Sequence, residues 1–322
     1  MKAILVEQTG GPEQLTVRDV PIPKPGPSEV LVKVAVSGVN FIDVYYRNGV
    51  YKAPAPVALG SEAAGLVEAL GSEVTGFAPA DRVAYAMTRG SYAEYAIVPA
   101  SQLVKVPDEV PLEEAAAALL QGMTAHYLTR SVYPLKRGDR CLVHAAAGGT
   151  GALIVQMAKQ QGATVFATVS TSEKAAIARE AGADEVILYG DQDWVAEVRR
   201  MTSGEGVDVV YDGVGRSTFE RGLDCIRRRG TMALFGAASG PVPPFDPILL
   251  NTKGSLFLTR PTLAHYIATR DELEWRAGDL FGMIGAGRLR IRIDETFPLV
   301  RAADAHRALE GRKTIGKLLL VP

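Results

Sequence analysis

From residue 143 to residue 151 the chain reads Val143-His144-Ala145-Ala146-Ala147-Gly148-Gly149-Thr150-Gly151. Ala146, Gly148 and Gly151 stand at the three small-residue positions of a dinucleotide fingerprint. Small side chains there permit a tight turn, close approach of the backbone to a pyrophosphate, and close packing of helix on strand. A strand is expected before this stretch and a helix from Ala152 after it, whose N-terminal N–H groups would face the phosphates. A glycine pattern alone can also be a turn that binds nothing; the strand–turn–helix setting is what favours a dinucleotide.

About twenty residues on, an NAD site carries an acidic residue for the ribose hydroxyls. This chain has Val169-Ser170-Thr171-Ser172-Glu173-Lys174 there, with no carboxylate at the strand tip. Ser170 and Thr171 can donate to a 2′-phosphate, and Lys174 can pair with its charge. Glu173, one residue from Lys174 on a helix, points elsewhere. The pattern favours NADP(H) over NAD(H), the alternative being that Lys174 is an ordinary exposed helix lysine.

Metal chemistry is poorly provided for. The two cysteines, Cys141 and Cys225, form no C-x-x-C pair, and the histidines, His126, His144, His265 and His306, are scattered. A three-ligand catalytic zinc site needs a closer grouping. His144 ends an expected buried strand and reads as structural rather than as a base; Cys141 reads as a small core residue. No disulfide framework is suggested. With 35 basic and 36 acidic residues the net charge is −1, which argues against a protein whose main task is nucleic-acid binding. The basic run Arg227-Arg228-Arg229 reads as solvated surface. The longest apolar run, 115–120, is far short of the roughly 20 residues a membrane span needs. No leader is visible, so the cytoplasm is the expected location.

These residues need elements to position them. At 322 residues, 47% hydrophobic and 22% charged, the chain is long for one core and suggests two domains. The first third alternates short β-type runs (3–6, 30–36, 65–69, 82–86, 92–98 and 102–106) with turn signals such as Pro21-Ile22-Pro23-Lys24-Pro25-Gly26-Pro27. That spacing predicts an antiparallel barrel or sandwich. Residues 111–120 are helical in propensity, with Glu113 and Glu114 in the first turn. Beyond them, buried strands at 140–145, 163–169, 185–188, 207–211, 231–235 and 255–258 alternate with helices such as 152–161 and 172–181. This predicts an α/β domain with a parallel sheet covered on both faces. A helix near 302–309 and a strand at 316–321 return the chain to the first domain. The expected boundaries are 1–122 with 262–322 for the β-rich domain and 123–261 for the inserted one.

Several further stretches join the phosphate loop: Gly38-Val39-Asn40-Phe41-Ile42-Asp43-Val44-Tyr45, Gly60-Ser61-Glu62-Ala63-Ala64-Gly65, Tyr211-Asp212-Gly213-Val214-Gly215 and Gly254-Ser255-Leu256-Phe257-Leu258-Thr259-Arg260-Pro261. With these the whole chain resembles the medium-chain dehydrogenase/reductase superfamily and, within it, the zinc-free quinone oxidoreductase branch that includes zeta-crystallin. The resemblance implies a GroES-like β-barrel domain and a Rossmann domain with a doubly wound, six-stranded parallel sheet. It also implies an active site in the cleft between them, NADPH as cofactor, and a homodimer formed through the cofactor domains. Zinc alcohol dehydrogenases of the superfamily have Cys where Asn40 stands and His where Ser61 stands, and carry four clustered cysteines for a second zinc. Their absence implies a metal-free enzyme.

The resemblance also implies site residues. Asn40, Tyr45 and Tyr51 would line the cleft near the nicotinamide, and Thr124 would bond its carboxamide or neighbouring groups. Gly148, Gly149, Thr150 and Gly151 would surround the pyrophosphate. Ser170, Lys174 and Tyr189 would flank the 2′-phosphate, and Phe235, Gly236 and Leu258 would border the nicotinamide ring. Where family members carry Asn-Ser-Ser, this chain has Ala237-Ala238-Ser239, which leaves only backbone to offer at the first two positions. A quinone or enone takes up hydride by delocalising charge onto its own oxygen, so no Lewis acid is required. Tyr45, Tyr51 and the Asn40 amide are the expected hydrogen-bond donors to that oxygen. The rival readings are an NADPH-dependent enoyl or enone reductase and, outside enzymes, an NADPH-responsive sensor that binds RNA.

Overall fold

In the computed structural model, which describes residues 1–311 and 314–322, strand β1 (Lys2–Val6) pairs antiparallel with β2 (Thr16–Asp19). The proline-rich 21–27 stretch bars any ladder, and β3 (Glu29–Val39) begins where it ends. Val30, Val32, Val34 and Val36 alternate along β3 and are buried, the period-2 signature of a strand with one face on a core. A short helix α1 (Phe41–Arg47) follows, then β4 (Val57–Ala58), β5 (Glu62–Leu70), β6 (Arg82–Ala86), β7 (Tyr95–Pro99) and β8 (Leu103–Lys105). Helix α2 (Leu112–Tyr127) runs well beyond the ten residues expected from propensity, because Ala115 to Leu119 and Met123 are all buried and packing carries it on.

Strands and helices then alternate: β9 (Arg140–His144), α3 (Gly149–Gln160), β10 (Thr164–Val169), α4 (Ser172–Glu180), β11 (Glu185–Leu188), α5 (Trp194–Met201), β12 (Val207–Asp212), α6 (Phe219–Leu223), β13 (Ile226–Leu234), α7 (Ile248–Thr252) and β14 (Phe257–Thr259). The six strands form one sheet in the order β11-β10-β9-β12-β13-β14, every pair parallel. Its core joins Leu142, Phe166, Val210 and Met232 to Trp194 and Phe219 from the helices. The chain leaves β9 for β10 on one side and returns to β12 on the other, so the order reverses at β9. Beyond the carboxyl ends of β9 and β12, the connections part and leave room for a ligand.

The return segment comprises α8 (Arg270–Gly285), β15 (Ile293–Pro298), α9 (Ala302–Glu310) and β16 (Lys317–Val321). β16 lies antiparallel to β3, in a sheet ordered β15-β16-β3-β5-β6-β8 with β7 also on β3. Two units result: Met1–Met123 with Tyr266–Pro322, and Thr124–His265. Sequence patterning missed α1 and α8. The first is seven residues of mainly β-branched and aromatic type; the second carries seven buried residues without the Ala-rich run that marked α2. No helix among the described residues is long and apolar enough to cross a membrane.

Candidate functional site

The turn after β9 is shaped by contacts that only small residues allow. Ala145 leaves the strand in the left-handed region (φ 53°). A Cβ on Gly151 would lie 2.3 Å from the Ala145 carbonyl oxygen, and one on Gly148 would lie 3.2 Å from it. Helix α3 begins at Gly149, three residues before its expected start, so Gly149, Thr150 and Gly151 form its first turn. Gly148 is the N-cap and no side chain caps this end. Backbone N–H groups at an uncapped helix start are donors suited to an anion. These residues fit a pyrophosphate.

The tips of β10 and β11 lie side by side, with the Tyr189 N–H donating to the Val169 carbonyl (3.2 Å). Ser170 is exposed just past β10, Tyr189 is exposed just past β11, and Lys174 is half-buried in the first turn of α4. Thr171 caps α4, its hydroxyl oxygen accepting from the Lys174 N–H (3.2 Å). The tip thus offers hydroxyls and one cation, and its nearest acid in sequence, Glu173, is exposed on the helix. This donor set suits a phosphate on the ribose rather than a bare diol.

At the end of β12 the buried Asp212 organises the next loop. Its Oδ1 accepts from the N–H groups of Val214 (2.7 Å) and Gly215 (3.0 Å), and its carboxylate accepts from the Thr218 hydroxyl. Two backbones cross here. A Cβ on Gly236 would lie 2.3 Å from the Gly213 oxygen, and one on Gly213 would lie 2.8 Å from the Phe235 ring. The Phe235 N–H donates to the Asp212 carbonyl (2.8 Å), holding Phe235 and Gly236 at the sheet's carboxyl edge. Leu258 sits on β14 in register with Met232 and is half-buried. Thr124 is buried on α2. Ser239 ties both loops, its hydroxyl donating to the Val214 carbonyl (2.8 Å) and accepting from the Ser217 N–H (3.0 Å).

In the other unit, Tyr45 and Tyr51 meet edge to face, ring centroids 5.3 Å apart, with the Tyr51 N–H donating to the Tyr45 carbonyl (2.9 Å). Tyr46 also meets Tyr51 edge to face, ring centroids 5.6 Å apart. Asn40, expected to offer its amide to a reacting oxygen, is 3% exposed and already engaged. Its Nδ2 donates to Glu62 Oε1 (2.8 Å), and its Oδ1 accepts from Lys317 Nζ (2.8 Å). Lys317 Nζ also donates to Glu62 Oε1, and Glu62 Oε2 accepts from the Leu120 N–H (2.7 Å). Asn40 is thereby held to β5, β16 and α2.

A second buried chain secures α1. Asp43 accepts from the Asn40 N–H (3.0 Å), the Ser61 hydroxyl (2.6 Å) and the Tyr92 hydroxyl (3.1 Å). Tyr92 also meets His306 Nε2 (3.1 Å), and Arg47 donates to His306 Nδ1 (3.0 Å) and pairs with Glu310 (2.8 Å). Arginine can only donate, so Nδ1 accepts and the neutral imidazole carries its proton on Nε2. Burial pushes the Asp43 carboxyl up to about 6, against the pull of its hydrogen bonds. Burial, then the neighbouring Arg47 charge, lowers His306 to about 3. Burial also lowers Lys317, partly offset by Glu62. His144 is buried with Nδ1 on the Thr168 hydroxyl (2.8 Å), and burial lowers its pKa, as suits a structural residue. Glu62, Asp43, Lys317 and Arg47 were invisible as a cluster, because pattern analysis cannot see contacts spanning 277 residues. The signal it could have used is a charged residue at the start of an otherwise apolar strand, as with Glu62 on β5 and Lys317 on β16. Among the described residues no group of three or more His, Cys, Asp or Glu could hold a metal ion.

The zinc-binding dehydrogenase family matches residues 149–279, and the alcohol dehydrogenase GroES-like domain matches residues 26–108. The quinone oxidoreductase of Pseudomonas aeruginosa is 47% identical over 323 residues, spanning 100% of this chain and 99% of its own. A 2-haloacrylate reductase of Burkholderia sp. is 42% identical, over 99% of this chain and 98% of that protein. The crystal structure of Escherichia coli quinone oxidoreductase complexed with NADPH has a TM-score of 0.98 and 42% identity, over 100% of both chains.

Proposed function

The chain belongs to the quinone oxidoreductase family of the medium-chain dehydrogenases/reductases, and from that premise we propose that it reduces quinones with NADPH. The observation that carries the proposal is the uncapped glycine turn of α3, set beside a strand tip of hydroxyls and one lysine, in a chain matched end to end by an NADPH-bound quinone oxidoreductase. Bound NADPH would supply the reducing equivalents. The N–H groups of Gly149, Thr150 and Gly151, with Gly148 behind them, would hold its pyrophosphate; Ser170, Lys174 and Tyr189 would hold its 2′-phosphate. Thr124, Phe235, Gly236 and Leu258 would border the nicotinamide.

The hydroxyls of Tyr45 and Tyr51 would donate to the acceptor oxygen as negative charge develops on it. Asn40 would act by fixing the start of α1, which carries Tyr45, since its amide is committed to Glu62. A quinone spreads the incoming charge through its own conjugation, so this arrangement works without zinc. The lack of the superfamily's Cys and His ligands at Asn40 and Ser61 supports the same reading. A homodimer formed through β14 is supported by that strand's place at the sheet edge and by the exposed Phe257. Two buried free cysteines accord with a reducing compartment such as the cytoplasm.

A second reading, reduction of an activated carbon–carbon double bond, is favoured by the likeness to a 2-haloacrylate reductase. The deciding assay follows NADPH oxidation, with NADH in parallel, against 1,4-benzoquinone, 9,10-phenanthrenequinone, an enone and a plain ketone. Quinone turnover preferring NADPH is expected. Turnover of the enone alone would replace the main reading with the second. Tight NADPH binding without turnover, together with salt-dependent retention of RNA, would point to a sensor instead.

A further inference from the structure

The connection from β6 to β7 carries a cation that the reading above does not use. Arg89 is exposed, and its guanidinium carbon lies 5.0 Å from the centroid of the Tyr46 ring. Tyr46 meets Tyr51, and Tyr51 meets Tyr45, so the charge stands two ring contacts from the proposed oxygen-binding hydroxyls.

The loop that presents it is held on both flanks. The Met87 N–H donates to the Ser61 carbonyl (2.7 Å), and the Gly90 N–H donates to the Gly60 carbonyl (2.9 Å). The buried hydroxyls of Ser91 and Ser37 share a hydrogen bond of 2.6 Å. Met87 takes a left-handed conformation (φ 68°), which an L side chain adopts only when its surroundings impose it. Arg89 is therefore aimed by the same Gly60-Ser61 segment that helps secure α1 through Asp43.

Among the described residues no carboxylate lies within ion-pairing distance of Arg89, whereas Arg47, on the same helix as Tyr45, is fully committed to Glu310 and His306. A cation–π contact with Tyr46 leaves the N–H groups of an exposed guanidinium without a charged partner. Those groups form a planar fork suited to two oxygens of a carboxylate or sulfonate. Lys52, exposed and next in the chain to Tyr51, adds positive charge to this rim. The molecule's net charge of −1 supplies no general attraction for anions, so any preference must be local.

We propose that Arg89 is a specificity-determining residue that selects electron acceptors bearing an anionic substituent, a carboxylate or a sulfonate, beside the reducible carbonyl or alkene. This rests on the quinone reductase reading and deepens it by naming the substrate class.

The test compares 1,4-naphthoquinone-2-sulfonate with 1,4-naphthoquinone at saturating NADPH, in the unaltered enzyme, Arg89→Gln and Arg89→Lys. The quantity read is the ratio of kcat/KM for the anionic acceptor to that for the neutral one, which cancels any general damage to turnover. The ratio should fall about tenfold in Arg89→Gln, the size of one charge-assisted contact at a partly exposed site, and recover in part in Arg89→Lys. In the unaltered enzyme it should also fall as salt is raised. A ratio that stays within twofold in Arg89→Gln would overturn the proposal, as would a rise in the KM for NADPH with the ratio unmoved, which would assign Arg89 to the cofactor. Should no quinone be reduced, the parent reading fails, and the inference is still read by calorimetry. Naphthalene-2-sulfonate should then bind the NADP⁺ complex more tightly than naphthalene-2-sulfonamide, and equal binding would sink it.

Discussion

Lys174 is one charge in the first turn of α4, and its proposed role can be isolated because NADH lacks the phosphate it would contact. A hydrogen bond to a charged group contributes about 1.5–3 kcal/mol, or roughly ten- to a hundredfold. Lys174→Ala should raise the KM for NADPH by about that factor and leave that for NADH little changed; an equal effect on both would assign the lysine to the helix alone. The buried pair Asp43 and His306 makes a second prediction, on stability. Asp43, raised from its ordinary 3.8 to about 6, contributes stability that is complete below about 3.8 and lost as pH rises through 6. His306, lowered from 6.5 to about 3, contributes stability that is complete above about 6.5 and lost as pH falls through 3. Between about pH 6 and 4 the two slopes oppose one another, each about 1.4 kcal/mol per pH unit at most. Asp43→Asn removes the offset, so its melting temperature should drop more steeply than the parent's over that interval. Parallel melting curves would show that the two groups do not titrate as placed.

At the scale of elements, the β9–α3 turn is decided by how close a backbone can come. Gly151→Ala drives a methyl to 2.3 Å from a carbonyl oxygen, and backbone, unlike a side chain tip, has no easy retreat. Such overpacking costs about 1–3 kcal/mol. NADPH binding, measured by fluorescence titration, should weaken at least tenfold. Gly148→Ala, at 3.2 Å from the same oxygen, should do clearly less. An inverted order would mean that the turn is not what holds the phosphates. The strand–turn–helix pattern here was legible in advance because it is local, and so was the missing acid after β10. The helix start was displaced by three residues, since glycines score as helix breakers while the first turn has no intrahelical N–H bonds to lose. Helix α1 was not legible at all. Phe41, Ile42, Val44, Tyr45 and Tyr46 favour strands, and the helix is held instead by Asp43 at its start and by Val44 and Arg47 turned inward.

At the scale of the molecule, the free edge of β14 makes the prediction. Phe257 is 64% exposed on β14, a strand paired on one side only, and an unpaired apolar edge is a template for pairing with another chain. Phe257→Lys should shift the protein toward monomer in sedimentation velocity. A parent already monomeric at working concentration would refute the dimer.

By itself the sequence determined the class of each half: period-2 valines with proline-rich breaks for the β-rich part, and alternating apolar strands and helices for the inserted part. It also marked the 146–151 turn as a candidate phosphate loop, because a fingerprint contained within ten residues needs no distant partner to be read. Tertiary structure alone decided what surrounds Asn40. Glu62 and Lys317 are each costly to bury alone and tolerable only in mutual contact, and with Asn40 that contact joins β5 and β16 to the start of α1 and to α2. Charge pairing between elements hundreds of residues apart leaves no periodicity in the chain, so it exists only once the strands have been brought into register.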